Sequence, residues 1–276
     1  MDELNLSNIN TAFKQPVSSK VLPSGEDLGG FFLLHMADTT LILSQRNSEW
    51  CGHGPVLEQD IALTNISLDL LGQARNFYQY AAILINSKTN QSGNPVTEDS
   101  LAYLRKEREF KNLLLAEQPN GDWAQTILRQ YFFSQYQYLL FDQLQNSSDQ
   151  QLAAITAKAL KEIKYHLRWS SEWVIRLGDG TAESHQKMLH AIDELWSYTG
   201  EMFLPAGYEI QNGIDFLLLK DAWMTRVNAI FEEATLSIPE KGFMQTGGKT
   251  GIHTEHMGYI LAELQFVQRA YPNSEW

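Results

Sequence analysis

The chain of 276 residues holds a single cysteine, Cys51, so no intramolecular disulfide can form, and a reducing cytoplasm is the expected setting. A basic-then-apolar leader is missing: the first residues, with Asp2, Glu3 and several Asn and Ser, do not have a signal-peptide layout. Long apolar runs are missing too. The longest, such as Phe31 to Leu34 and Phe216 to Leu219, are far too short to span a bilayer. Basic residues are outnumbered, 21 Lys plus Arg against 33 Asp plus Glu, and a formal charge of −12 disfavours nucleic acid and anionic membranes as partners. Strand-like alternation is nearly absent. Its one trace, Tyr208 to Phe216 around Asn212-Gly213, has flanks too short for a hairpin and reads as loop. The last absence is chemical. Helical bundles that hold two iron or manganese ions carry a Glu-x-x-His pair on each of two helices, and no Glu-x-x-His occurs anywhere in this chain.

What is present is helical periodicity. With 43% hydrophobic residues, the chain can bury one large core. Residues 1–23 are polar and aperiodic and read as a flexible tail, followed by one helical domain over 24–276. Ser24 with Asp27 can start a first helix that runs to about Gln45, and Arg46 to Pro55 is a loop. From Val56 to Ile85 apolar residues cover two faces, Leu57, Ile61, Leu68, Leu71, Tyr78 and Ile85 on one and Leu63, Ile66, Leu70, Phe77 and Leu84 on the other; such a helix is expected to be buried between neighbours. Thr97 to Gln118 reads as one helix stopped by Pro119. Asp122 with Gln125 forms a capping-box pattern for an aromatic-rich helix to about Leu144, and Ser148 with Gln151 another for a helix that Gly178 can close. Further helices are expected near 182–203, 216–236 and 254–270. The class is all-α, with seven to nine helices.

The helix from Asp149 to Leu177 carries Leu152, Ile155, Ala159, Ile163, His166, Ser170, Trp173 and Leu177 on one stripe. Ile163 and His166 occupy the spacing of a metal-binding Glu-x-x-His, with isoleucine in place of the carboxylate. On the other long helices the inward positions read as Asp38 in the first, Leu71 with Ala74 in the second and Ser134 in the third. Asp38 and His166 are the two ligand types left, too few for a dinuclear centre. They are expected to hydrogen-bond each other or nearby core groups.

Other candidates are weaker. Glu162 with His166 and Glu49 with His53 are four apart and read as ordinary ion pairs. Gly247-Gly248-Lys249-Thr250 lacks the glycine that a phosphate loop requires, since Phe243 stands there, and is a false match; a flexible cationic surface turn that docks on a partner or an anionic group is the secondary reading. His253, Glu255 and His256 are not in His-Glu-x-x-His order and suit a cap or an interface; Lys249, His253 and His256 are the candidate contacts to a partner or to CoA. Cys51 is expected to be a packed loop thiol.

The stretches LSQRNSEWCGHGPVLEQDIAL, LDLLGQARNFYQYAA, NLLLAEQPNGDWAQTILRQYF, AAITAKALKEIKYHLRW and TGGKTGIHTEHMG resemble the C-subunit family of the bacterial phenylacetyl-CoA epoxidases, over nearly all of residues 28–276. The resemblance implies a ferritin-like helical bundle with accessory helices, within a cytoplasmic multicomponent monooxygenase that converts phenylacetyl-CoA and O2 to a ring 1,2-epoxide. It also implies a related catalytic partner that carries di-iron, a reductase with flavin and an iron–sulfur cluster, other epoxidase subunits, and a structural role for this chain without a cofactor of its own. In the family pattern Leu71, Ala74 and Ile163 fall where the metal-binding relative has Glu, His and Glu, and Ser134 falls where a carboxylate is expected. Self-association of the isolated chain is a further expectation. Two other readings stand beside this one: a free-standing metal-dependent oxidase or oxygenase, and a CoA-thioester-binding module.

Overall fold

The computed structural model describes residues 28–88, 95–240, 242–271 and 274. The expected tail over 1–23 and the helix start at Ser24 and Asp27 lie outside the described residues. Ten α-helices and no strand occur among those described: α1 (Leu28–Ser48), α2 (Leu57–Lys88), α3 (Glu98–Tyr103), α4 (Leu114–Glu117), α5 (Trp123–Leu144), α6 (Gln150–Gly178), α7 (Ala182–Leu195), α8 (Phe216–Glu233), α9 (Glu255–Leu264) and α10 (Phe266–Ala270). No described helix is long and apolar enough to cross a membrane.

Four long helices make a ferritin-like bundle. Helix α1 packs along α2, and α5 along α6. The two pairs meet through polar bonds: Asn47 Nδ2 donates to Gln130 Oε1 at 2.7 Å between α1 and α5, and His166 Nε2 lies 3.0 Å from Asp69 Oδ2 between α6 and α2. The Asp122–Gln125 capping box opens α5 as predicted. Helix α6 is capped by Asp149 instead of Ser148; its carboxylate accepts from the N–H groups of Gln151 and Leu152. Along α6, Leu152, Ile155, Ala159, Ile163, His166 and Ser170 of the stripe are buried, while Trp173 and Leu177 at its end are half-buried. The aromatic residues of α5 fill two seams. Phe132 meets Trp196 and Trp223, and Trp123 stands edge-on to Trp50, Trp169 and Trp173.

Two readings fail for instructive reasons. The stretch 97–118 is not one helix but α3, a 3-10 turn at Glu107–Glu109 and the single turn α4. Its backbone donors are drawn away by distant acceptors: Lys111 N–H donates to Asp38 Oδ2 at 2.7 Å, Leu113 N–H to Thr39 Oγ1 at 3.2 Å and Leu114 N–H to Glu201 Oε2 at 2.8 Å. An N–H held that way cannot close an i→i−4 bond. The expected helix over 182–203 likewise ends at Leu195 and continues in 3-10 turns, and the last splits at Gln265; these breaks take the count past nine. Helix α2 is also not buried on both faces. Leu63, Ile66, Leu70 and Phe77 are buried, as are Tyr78 and Ile85, but Leu57, Ile61, Leu68 and Leu71 are exposed.

Candidate functional site

The bundle interior, where the inward faces of the four long helices converge, is the place to look for chemistry. Asp38, Ala74, Ser134, Ile163 and His166 are all buried, with Ile163 and His166 wholly enclosed. Leu71 is not: it is 42% exposed, and the polar side chain that α2 sends inward is Gln73. Leu71 is therefore struck from the inward set. On a helix with two apolar faces, the pattern alone does not say which face meets the core.

Asp38 and His166 do not meet each other. Asp38 is gripped from the opposite side, by the Arg105 guanidinium, by Tyr78 Oη at 2.6 Å and by the Lys111 N–H. Arg105 is buried, and the desolvation that opposes its charge is outweighed only by Asp38, Tyr78 and Glu109 together, so its pKa rises. Burial, followed by the adjacent Asp38 charge, pushes the Tyr78 phenol up, so it stays a donor. His166 turns its Nε2 to Asp69, which is partly exposed, while Nδ1 has no hydrogen-bond partner among the described residues. Neither i,i+4 ion pair forms: Glu162 accepts from Gln73, Glu49 pairs with Arg46, and His53 Nδ1 lies against the Cys51 carbonyl. Cys51 itself is exposed and not packed.

The rest of the interior is lined by amides. Gln137 Nε2 donates to Gln73 Oε1, and Gln73 Nε2 donates to Glu162 Oε2, each at 2.9 Å. Gln130 accepts from Asn47 and donates to Ser134 Oγ at 2.9 Å. Sequence reasoning missed Gln73, Gln130 and Gln137. Gln130, Ser134 and Gln137 do share a four-then-three spacing, but the dense aromatics around them masked the stripe. A dinuclear centre needs several anionic oxygens converging on one point. Here neutral amides stand at the convergence, the one carboxylate of α1 is engaged by Arg105, and no described group of three or more His, Cys, Asp or Glu is placed to hold a metal ion. The donor set does not fit a di-iron group.

A second polar cluster lies beside α1. Lys249 is not on a surface turn; it is buried, and its Nζ donates to both Glu209 oxygens at 2.9 and 3.1 Å and to the Leu204 carbonyl at 3.1 Å. Burial lowers its pKa and the Glu209 charge opposes that. Glu201 accepts the N–H groups of Leu114 and Gly247 at 2.8 Å and of Lys249 at 3.3 Å. Desolvation still raises its pKa against those bonds. The glycines follow from this packing: a Cβ on Gly248 would sit 2.2 Å from the Asn112 carbonyl, and Gly251 has φ +83°. His253 Nδ1 lies 3.0 Å from Glu117 Oε2 and Nε2 3.1 Å from the Phe110 carbonyl. Burial works against its charge, but Glu117 and that carbonyl together raise its pKa. His256 is half-buried in the first turn of α9 and joins neither network. Of the three candidate contacts, Lys249 and His253 are thus bound into the interior of their own chain.

Comparison with known proteins agrees with the fold. The family described as "Phenylacetic acid catabolic protein" matches residues 30–276. The C subunit of the 1,2-phenylacetyl-CoA epoxidase of Escherichia coli (strain K12) is 51% identical over 250 residues, covering 89% of this chain and 98% of that protein. The resemblance carried by the sequence stretches is borne out, and the chain belongs to the phenylacetic acid catabolic protein family.

Proposed function

We propose that this chain is a structural subunit of a phenylacetyl-CoA epoxidase, without a metal of its own, that supports a related di-iron subunit. The observation that carries the reading is the bundle interior. Asp38 is neutralised by Arg105, and the convergence point is filled by Ala74, Ile163 and the amides of Gln73, Gln130 and Gln137. Apolar and amide side chains avoid the desolvation penalty of clustered carboxylates, so such a bundle is stable without an ion. The 51% identity to an epoxidase C subunit supports the same role. In this reading the electrons come through a reductase with flavin and an iron–sulfur cluster. The reading as a free-standing metal-dependent oxidase lacks ligands. The CoA-binding reading loses its cationic turn, because Lys249 is engaged with Glu209.

The test is reconstitution. The purified chain should carry less than one iron, manganese or zinc ion per molecule, and with reductase and electron donor it should not epoxidise phenylacetyl-CoA. Activity should appear when the di-iron relative is added, and that relative should be less active or less stable alone. Two metal ions per purified chain, or turnover by the chain alone, would overturn the reading.

A further inference from the structure

His35 of α1 lies against the second polar cluster, and only one of its two ring nitrogens is satisfied there. Its side chain and that of Glu209 are wholly enclosed. Nδ1 lies 2.6 Å from the Lys111 carbonyl, and a carbonyl oxygen only accepts, so Nδ1 carries a proton. Nε2 is then the acceptor nitrogen of a neutral ring, and it has no hydrogen-bond partner among the described residues. What it faces is a second acceptor. Glu209 Oε1 stands 3.7 Å away, beyond hydrogen-bond reach.

A second proton on the ring does not resolve this. An Nε2–H would point at Glu209 across a gap too long for a bond. Glu209 also has its cation already, because Lys249 Nζ donates to both of its oxygens at 2.9 and 3.1 Å. Burial is the largest influence on the His35 ring and lowers its pKa; Lys249 adds to this, while Glu209, the Lys111 carbonyl and Asp38 oppose it without reversing it. The other neutral tautomer is worse, since it sets a bare Nδ1 against the Lys111 oxygen. Neither group is free to turn away. Lys111 holds the ring, and Glu209 is held by Lys249 and by the Ala206 N–H at 2.7 Å.

Two enclosed acceptors that face each other call for a molecule that donates twice. A metal ion is disfavoured there by the charge of Lys249. Water donates twice, and an internal water has about two to four polar partners. The surroundings are polar enough to hold one. The Tyr136 hydroxyl is buried without a partner among the described residues. Burial, and then the charges of Glu209 and Glu201, push its phenol up, so it stays a donor in the field of the same carboxylates.

We propose that one internal water bridges His35 Nε2 and Glu209 Oε1, donating to both. His35 is then a joint between three segments. It belongs to α1, it fastens the irregular stretch after α3 through the Lys111 carbonyl, and it reaches the loop between α7 and α8 through the water. The site lies outside the bundle interior, so it stands or falls apart from the proposed function.

Three measurements on the full chain test it. In a crystal structure at about 1.5 Å, a water should lie within about 3.2 Å of both His35 Nε2 and Glu209 Oε1. Ordered side chains with no water between them would overturn the proposal, and so would a direct Nε2–Glu209 bond of about 3 Å. Nitrogen NMR of labelled histidine reads the ring in solution. His35 should remain mostly in the neutral Nδ1–H form at about pH 6, where an unperturbed histidine is about three-quarters protonated. A mostly protonated ring, or the Nε2–H tautomer, contradicts the bridge. Magnetic relaxation dispersion of the solvent counts long-lived internal waters. The count should fall by one in His35→Phe, which removes the acceptor and keeps a ring in place; an unchanged count in the folded variant counts against the site. If that variant does not fold, the first two measurements on the unaltered chain decide.

Discussion

Helices α1 and α2 run side by side and are both rich in aliphatic residues, yet α1 is buried on every side from Phe32 to Ser44 while α2 leaves Leu57, Ile61, Leu68 and Leu71 in solvent. The difference lies in what covers them. The irregular segment 104–118 is fastened over α1 by Asp38, Thr39 and Arg105, and the turn at Gly247–Gly251 is locked behind it by Glu201 and Lys249. No described segment is fastened in this way over the outer face of α2. The lesson is that an apolar helix face in the sequence does not say whether another segment of the same chain covers it.

The largest expected effect would strip the cover from α1. Arg105→Met removes the counter-ion of buried Asp38, and removal of one partner from a buried ion pair costs about 3–5 kcal/mol. Urea unfolding of the isolated chain reads this directly. A loss below about 1 kcal/mol would mean that the Asp38–Arg105 pair does not hold the 104–118 segment.

The next pair sharpens the contrast between inside and outside. Ile163→Glu puts a carboxylate in the enclosed bundle interior and should cost about 2–4 kcal/mol. Leu71→Glu, the same kind of change at a position whose spacing predicts an inward face, should change stability by less than about 0.5 kcal/mol. Equal melting temperatures for the two variants would erase the distinction between the faces.

The smallest effect depends on pH. His253 fastens Phe110 and Glu117, part of the cover over α1, and its folded pKa is raised. The folded state therefore binds the proton more tightly than the unfolded state. Its stabilisation is complete below the unfolded value, about 6.5, and is lost as pH rises through the raised folded value. Melting temperature followed from about pH 6 to 9 should fall more in the parent than in His253→Gln. Parallel profiles would remove His253 from the account.

Much of this was legible in the sequence, and what escaped has a common cause. The Asp122–Gln125 box and the buried stripe of α6 were readable because their partners lie within a turn or two. The break in 97–118 was not readable, because no proline or glycine marks it and its N–H acceptors Asp38, Thr39 and Glu201 lie over 70 residues away in the chain. Lys249 was misplaced for the same reason: a glycine-rich turn usually faces solvent, and its counter-ion Glu209 is 40 residues upstream. The bundle interior was half legible. Ile163 and His166 stood out by spacing, while Gln73, Gln130 and Gln137 were hidden among the apolar and aromatic residues around them.

The hydrogen-bonded chain Gln137–Gln73–Glu162 has a consequence for what this sequence can become. To turn its interior into an ion-binding one, carboxylates would have to enter at several positions and Asp38 would have to be released from Arg105. Each first step places an unpaired charge in a closed interior before any second ligand exists to share a cation. A lineage taking those steps singly passes through less stable intermediates, so the present interior resists conversion to an ion-binding one.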